Sequence, residues 1–133
     1  MKRILIIDEE NISVRGVKNV IETKLNNTNT YHCKTCASAL LELEVNSYNL
    51  IILDMMLPTG DWSIAFERPD NTYGIDLLEE IRKRLPKIPV ICYTIMNDTQ
   101  IIDRIQKLGA IHICKLSFNS REDLVKSIKL MMH

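Results

Sequence analysis

Four short apolar runs, Ile4–Ile7, Leu50–Leu53, Val90–Tyr93 and Ile111–Cys114, decide much of what this chain can become. None alternates apolar with polar residues, and continuous apolar runs of this length are the pattern of strands covered on both faces. A fifth, weaker strand is expected near Thr30–Lys34. Between the runs lie stretches with apolar residues three and four apart, Ile12–Leu25, Ala37–Val45, Ile75–Leu85, Thr99–Leu108 and Arg121–Met132, which predict amphipathic helices. Pro86 and Pro89 separate the third helix from the run that follows, and Gly109 suits a helix C-terminal cap after Leu108. Asn119 or Ser120 can cap the last helix. Parallel neighbours in a sheet need crossover connections, and alternating strands and helices supply them. The expected architecture is therefore α/β, one parallel sheet with helices on both faces, formed by a single domain over residues 1–133.

Composition narrows the function classes. At 133 residues the chain can bury a core without staples, and 46% hydrophobic with 26% charged residues is a globular composition. Seventeen basic residues balance seventeen acidic ones, so no long-range field draws the chain to nucleic acid or to an anionic membrane. The apolar run at the start is too short for a signal peptide or a membrane span, which makes a cytoplasmic location the expectation. Of the four cysteines, only Cys33 and Cys36 have a spacing that suggests metal or redox chemistry. If Tyr31–Cys36 is a strand, the two sulfurs project to opposite faces and do not converge on one ion, so reduced cysteines in or near a core are expected.

In an open parallel sheet, ligands sit beyond the carboxyl ends of the strands. Here the first run ends in Asp8 and Glu9, the next in Asp54, the fourth strand in Thr94 and the fifth in Lys115. Three carboxylates on one edge repel one another, and a hard divalent cation relieves that repulsion. Magnesium fits, because it takes a few carboxylates and completes its shell with water and phosphate oxygens. Asp54 can then serve as a nucleophile toward phosphorus, with Thr94 and Lys115 receiving the transferred oxygens. Any one of these residues alone fits equally well as a helix cap or a solvated loop residue. Their conjunction at four strand ends is what carries weight.

The stretches ILIIDEE, LIILDMMLP, GIDLLEEIR, PVICYT and KLGAIHICK together resemble the receiver domain of response regulators over nearly the full length. The resemblance implies a flavodoxin-like sheet in the order 2-1-3-4-5 and a phosphoacceptor role for Asp54. It implies Asp8 with Glu9 as the acidic pair, and the backbone carbonyl of Met56 as the remaining protein ligand of the metal. Thr94 becomes the switch hydroxyl, Lys115 the phosphate-binding lysine, and His112 stands at the aromatic switch position. The implied donor is a histidine kinase or phosphotransfer protein. The implied output is a change in the surface of the fourth helix, fifth strand and fifth helix, where a target protein, an output domain or a second copy docks. Such a domain catalyses only its own phosphorylation and dephosphorylation. No output segment is expected after the last helix, so the domain either docks reversibly or belongs to a longer protein.

Several positions depart from the family pattern. The acidic pair is Asp-Glu, so Glu9 carries an extra methylene beside the metal. Leu116 follows Lys115 where proline is usual, and a trans bond is expected there because a cis bond before a non-proline residue costs about 3 kcal/mol. His112 would add pH sensitivity if its ring follows Thr94 inward, or would stand half-exposed without a signalling role. Ile95 should narrow access to the site. Met56 and Met96 offer no group to orient an attacking water, which predicts a long-lived phosphate. Residues Thr59–Tyr73 form an extended loop with Trp62, Phe66, Arg68 and Tyr73, either a lid or docking surface or an insertion packed back on the domain. A receiver fold used as a phosphorylation-independent interaction module is the competing reading. A nucleotide-binding enzyme is disfavoured, since no glycine-rich turn follows the first strand.

Overall fold

A computed structural model describes residues 1–63 and 71–132. Along the chain run β1 (Lys2–Ile7), α1 (Asn11–Lys24), β2 (Thr28–Cys33), α2 (Cys36–Val45) and β3 (Leu50–Leu53). They are followed by α3 (Gly74–Arg84), β4 (Val90–Thr94), α4 (Thr99–Lys107), β5 (Ile111–Cys114) and α5 (Ser120–Met131). The five strands form one parallel sheet in the order β2-β1-β3-β4-β5.

Why the runs need no alternation is visible in the packing. Leu5, Ile7, Ile51, Leu53, Val90 and Cys92 point to one face and pack with α2, α3 and α4. Their neighbours Ile4, Ile6, Leu50, Ile52, Ile91 and Tyr93 point to the other and pack with Val14, Val17 and Ile21 of α1 and Leu124 and Ile128 of α5. Both sides of every central strand are thus buried, which stabilises the sheet by about 1.5–3 kcal/mol for each large aliphatic side chain. No helix among the described residues is long and apolar enough to cross a membrane.

Local chemistry moves some boundaries. β2 ends at Cys33 because Thr35 caps the next helix: its Oγ1 accepts from Ser38 N at 3.0 Å while Ser38 Oγ accepts from Thr35 N at 3.1 Å. Cys36 therefore opens α2, so the strand expected near Thr30–Lys34 runs over Thr28–Cys33 and the condition of a strand from Tyr31 to Cys36 is not met. The buried sulfur of Cys36 donates to the carbonyl of Tyr73, and burial with the nearby charge of Asp76 pushes its thiol up to about 12. At α5, Asn119 occupies the cap position without a side-chain bond, and the Ser120 hydroxyl is engaged elsewhere. Gly109, at φ 71°, ends α4 in the left-handed conformation that favours glycine.

The long β3–α3 connection is stitched at its base. Leu57 pairs with Thr72, Leu57 N donates to Asn71 O at 2.6 Å, and Tyr73 N donates to Leu57 O at 3.2 Å. Trp62 is half-buried against the core and Tyr73 is buried, so these two aromatics pack back on the domain. Phe66 and Arg68 lie outside the described residues.

Candidate functional site

Register brings the site together. Ile7 pairs with Leu53, Leu53 with Cys92, and Thr94 with Cys114, so the strands end level with one another. The ladder continues one residue further: Asp8 N bonds Cys33 O, Asp54 N bonds Ile7 O, and Lys115 N bonds Thr94 O, at 2.9–3.0 Å. The backbones of Asp8, Asp54 and Lys115 are held by the sheet itself, and their side chains meet above it.

Asp54 is 5% exposed and Thr94 fully buried. Asp54 Oδ1 accepts from Thr94 Oγ1 at 2.6 Å and from Met56 N at 3.1 Å, and Oδ2 accepts from Lys115 Nζ at 2.9 Å. Asp8, also 5% exposed, receives Lys115 Nζ on Oδ2 at 2.7 Å and Glu10 N on Oδ1 at 2.8 Å. His32 reaches the Asp8 backbone carbonyl through Nε2 at 2.6 Å. A cavity of about 240 Å³ opens over this cluster, lined by Asp8, Glu9, Glu10, Asp54, Met56, Ile95 and Lys115. A larger surface cavity, about 550 Å³, lies at the opposite end of the sheet between the loops entering β3 and β4. It gathers no comparable set of buried charges.

The electrostatics follow from counting. One ammonium faces two buried carboxylates, which leaves an excess negative charge, and Glu9 on the cavity wall adds another. Burial pulls the Lys115 ammonium toward a lower pKa, but the charge of Asp54 and the bonds to Asp8 and Asp54 outweigh it and hold the pKa above the ordinary lysine value. Every buried side-chain nitrogen and oxygen among the described residues has a partner, so the cluster is satisfied but not neutral. No three His, Cys, Asp or Glu side chains among the described residues are gathered closely enough to cage a metal. The carboxylates that share Lys115 are two, Asp8 and Asp54, and Glu9 lines the cavity above them. Two carboxylates with hard oxygens and an open cavity suit magnesium, which retains water and phosphate ligands, better than calcium or zinc.

The remaining sequence-derived positions fall around this centre. His112 is half-buried, and its Nε2 donates to the Met96 carbonyl at 2.9 Å, while Met96 N donates to Thr94 Oγ1 at 3.2 Å. The ring is thus tied through the β4–α4 loop to the hydroxyl on Asp54. Ile95, 48% exposed, stands on the cavity wall where access was expected to narrow. Every peptide bond among the described residues is trans, including Lys115–Leu116.

Sequence reasoning missed Gly74. A Cβ there would lie 2.3 Å from the Asp54 carbonyl oxygen and 2.4 Å from Met55 Cα, so only glycine lets α3 start against the strand end that carries Asp54. The signal was a lone glycine between a long loop and an amphipathic pattern, which also fits an ordinary helix start.

A sequence model of the response regulator receiver domain matches residues 4–129. The chain belongs to that family. As a receiver domain it is a signalling module of two-component response regulators rather than an enzyme in the usual sense. Its fold is similar to the receiver domain protein (CheY-like) of Methanospirillum hungatei, at a TM-score of 0.80 and 25% identity, covering 99% of this chain and 94% of that one. The receiver domain of the Francisella response regulator 1452 shares the fold at a TM-score of 0.79 and 22% identity, covering 99% and 97%. Uncharacterized protein y4jS of Sinorhizobium fredii is 29% identical over 131 residues, which is 95% of this receiver domain and 28% of that protein. The receiver domain thus spans little more than a quarter of the curated relative it matches.

Proposed function

We propose that this receiver domain accepts a phosphoryl group on Asp54 in a magnesium-dependent reaction and signals through the surface of α4, β5 and α5. The observation that carries this reading is the convergence of Thr94, Lys115 and the Met56 amide on the two oxygens of Asp54, with Asp8 sharing the lysine. In the proposed step, a carboxylate oxygen of Asp54 attacks the phosphorus of a phosphohistidine, an O–P bond forms, the N–P bond breaks, and the imidazole leaves. Asp8, Glu9 and Asp54, with the Met56 backbone carbonyl, would hold the magnesium ion, whose charge offsets that of the phosphoryl oxygens. The Lys115 ammonium transfers from Asp54 Oδ2 to a phosphoryl oxygen, and the Thr94 hydroxyl turns to another. Met96 and His112 follow Thr94 because the same bonds join them. The donor on this reading is a histidine kinase or phosphotransfer protein, and the readers are a downstream protein, an output domain or a second copy of the chain. The setting is the cytoplasm, with no direct contact to nucleic acid or membrane.

The test is incubation with acetyl phosphate or beryllofluoride plus magnesium. Wild-type chain gains one phosphoryl mass from acetyl phosphate, Asp54→Ala gains none, and half-buried Trp62 offers a fluorescence readout. Absence of magnesium-dependent labelling in the wild type overturns the proposal and leaves a phosphorylation-independent binding module.

A further inference from the structure

Lys115 has a long side chain with many rotamers to lose, yet its ammonium is fixed 2.7 Å and 2.9 Å from two carboxylate oxygens. The turn that follows it has little anchorage of its own. Leu116 lacks the fixed φ of a proline, residues 116–119 are all exposed, and the Asn119 side chain makes no cap bond. Two backbone bonds close the turn, Ser117 N to Cys114 O and Ser120 N to Ser117 O, each at 3.1 Å. The side-chain tie across it comes from Tyr93.

Tyr93 touches both ends of this turn. Lys115 Nζ lies 5.8 Å from the centroid of its ring, within the range of a cation–π contact. Its hydroxyl shares a hydrogen bond of 2.9 Å with Ser120 Oγ, the first residue of α5. Tyr93 is 4% and Ser120 8% exposed, so neither hydroxyl can turn to water if the other is removed. The ring is itself held from below by β4 pairing with Ile113 and by the core of α1 and α5.

We propose that Tyr93 is a positioning residue for Lys115: the ring face supports the ammonium, and the hydroxyl fixes the first turn of α5 against β4, so that the cation stays aimed at Asp54. This rests on the reading of Lys115 as the phosphoryl-binding cation. It also gives the chain a substitute for the rigidity that a residue such as proline at position 116 would bring.

The experiment uses the full chain as Tyr93→Phe, Tyr93→Leu, Ser120→Ala and the Tyr93→Phe/Ser120→Ala double variant. Two quantities are read: the rate of magnesium-dependent labelling by phosphoramidate at saturating donor, and the side-chain ammonium signal of Lys115 by NMR without any donor. Tyr93→Phe and Ser120→Ala should each slow labelling roughly three- to tenfold, the equivalent of one buried hydrogen bond, and the double variant should be no slower than either. Tyr93→Leu should slow it further and broaden the ammonium signal by faster exchange, with magnesium affinity unchanged because Asp8 and Asp54 remain. If Tyr93→Leu does not fold, Tyr93→Phe, which preserves the ring volume, decides. Labelling within twofold of wild type with an unchanged ammonium signal in these variants overturns the proposal. If the wild type is not labelled but the ammonium signal still responds to Tyr93→Leu, the phosphoacceptor reading fails and the positioning of Lys115 by Tyr93 stands.

Discussion

Thr94 Oγ1 lies 2.6 Å from Asp54 Oδ1 with both side chains buried, so the hydroxyl already sits on the carboxylate it is proposed to serve. Thr94→Val keeps the shape but removes the donor, leaving Oδ1 with the Met56 amide alone. The expected loss is about 1–3 kcal/mol in urea unfolding, with Thr94→Ser recovering most of it. On the proposed function, Thr94→Val still labels on Asp54 but loses the response of the β4–α4 loop, read as unchanged amide shifts at Met96 and His112 on beryllofluoride binding. A full loop response in the valine variant would detach Thr94 from signalling.

Gly74 sets how closely α3 may approach the strand end. A methyl group at this position meets backbone, not a yielding side chain, at 2.3–2.4 Å. Gly74→Ala should therefore cost about 1–3 kcal/mol through forced backbone movement and lower the labelling rate of Asp54 in the same variant. Differential scanning calorimetry and the acetyl phosphate assay check the two effects; a variant with wild-type melting and wild-type labelling would mean that α3 can slide without disturbing Asp54.

The sheet and the site were legible in the sequence to different depths, for physical reasons. Leu50–Leu53 announces a two-sided strand because nothing polar is tolerated on either face, and the register that follows carries Asp54 to the rim. The weak strand β2 lies two residues earlier at its start and one at its end than expected, because it is an edge strand whose pattern mixes exposed and buried residues and because Thr35 caps the helix that follows. Asp8, Asp54, Thr94 and Lys115 could be found from strand ends alone, since parallel strands finish level. What could not be read was which atom bonds which: that Lys115 is shared by two carboxylates, that His112 holds the Met96 carbonyl, or that Tyr93 spans the turn after Lys115. Those depend on side-chain rotamers and on contacts between distant elements, which a linear pattern does not encode.

Lys115 links the site to stability through pH. Its folded pKa is raised above the unfolded value, so its contribution is fully present below the ordinary lysine pKa of about 10.4 and is lost as pH rises through the higher folded value. Urea midpoints of the wild type and Lys115→Met should differ by a constant amount from neutral pH to about 10, and converge above it. Removing the cation leaves two carboxylates buried together, and the neutral-pH difference should reach about 3–5 kcal/mol. Added magnesium should narrow that difference by neutralising the same pair; a gap indifferent to magnesium would argue that Asp8 and Asp54 do not bind the ion.

The thiols separate by burial. Burial pushes Cys92 up to about 12 despite the opposing charge of Arg82, and Cys36 stands equally high, whereas Cys33 and Cys114 are half-buried. Only thiolate reacts with iodoacetamide, so at mildly alkaline pH a rise from about 9 to about 12 slows alkylation roughly a thousandfold even before access is considered. Native protein should be labelled at Cys33 and Cys114 first, with Cys36 and Cys92 reacting only after urea is added, as peptide mass mapping would reveal. Early labelling of Cys92 would mean that β4 opens to solvent below global unfolding, and so that the strand carrying Thr94 is looser than its packing implies.

Met56 lines the cavity beside the proposed phosphoacceptor Asp54 and Met96 bonds Thr94 Oγ1 through its backbone amide, and neither thioether can orient a water by a strong hydrogen bond. Hydrolysis of an aspartyl phosphate needs a water aimed in line at phosphorus, and a residue that binds it lowers the barrier by positioning. Met56→Asn places an amide on the wall of the cavity beside Asp54 without disturbing the Met56 backbone amide that bonds Oδ1. The variant should release inorganic phosphate from purified phosphorylated protein about tenfold faster than wild type, the effect of roughly 1.4 kcal/mol of positioning. Met96→Asn, on a half-buried residue that packs against the α2, α3 and α4 core, should accelerate release less and destabilise the fold more. Equal decay of wild type and Met56→Asn would place the control of phosphate lifetime elsewhere, with Ile95, which lines the same cavity, the next position to change.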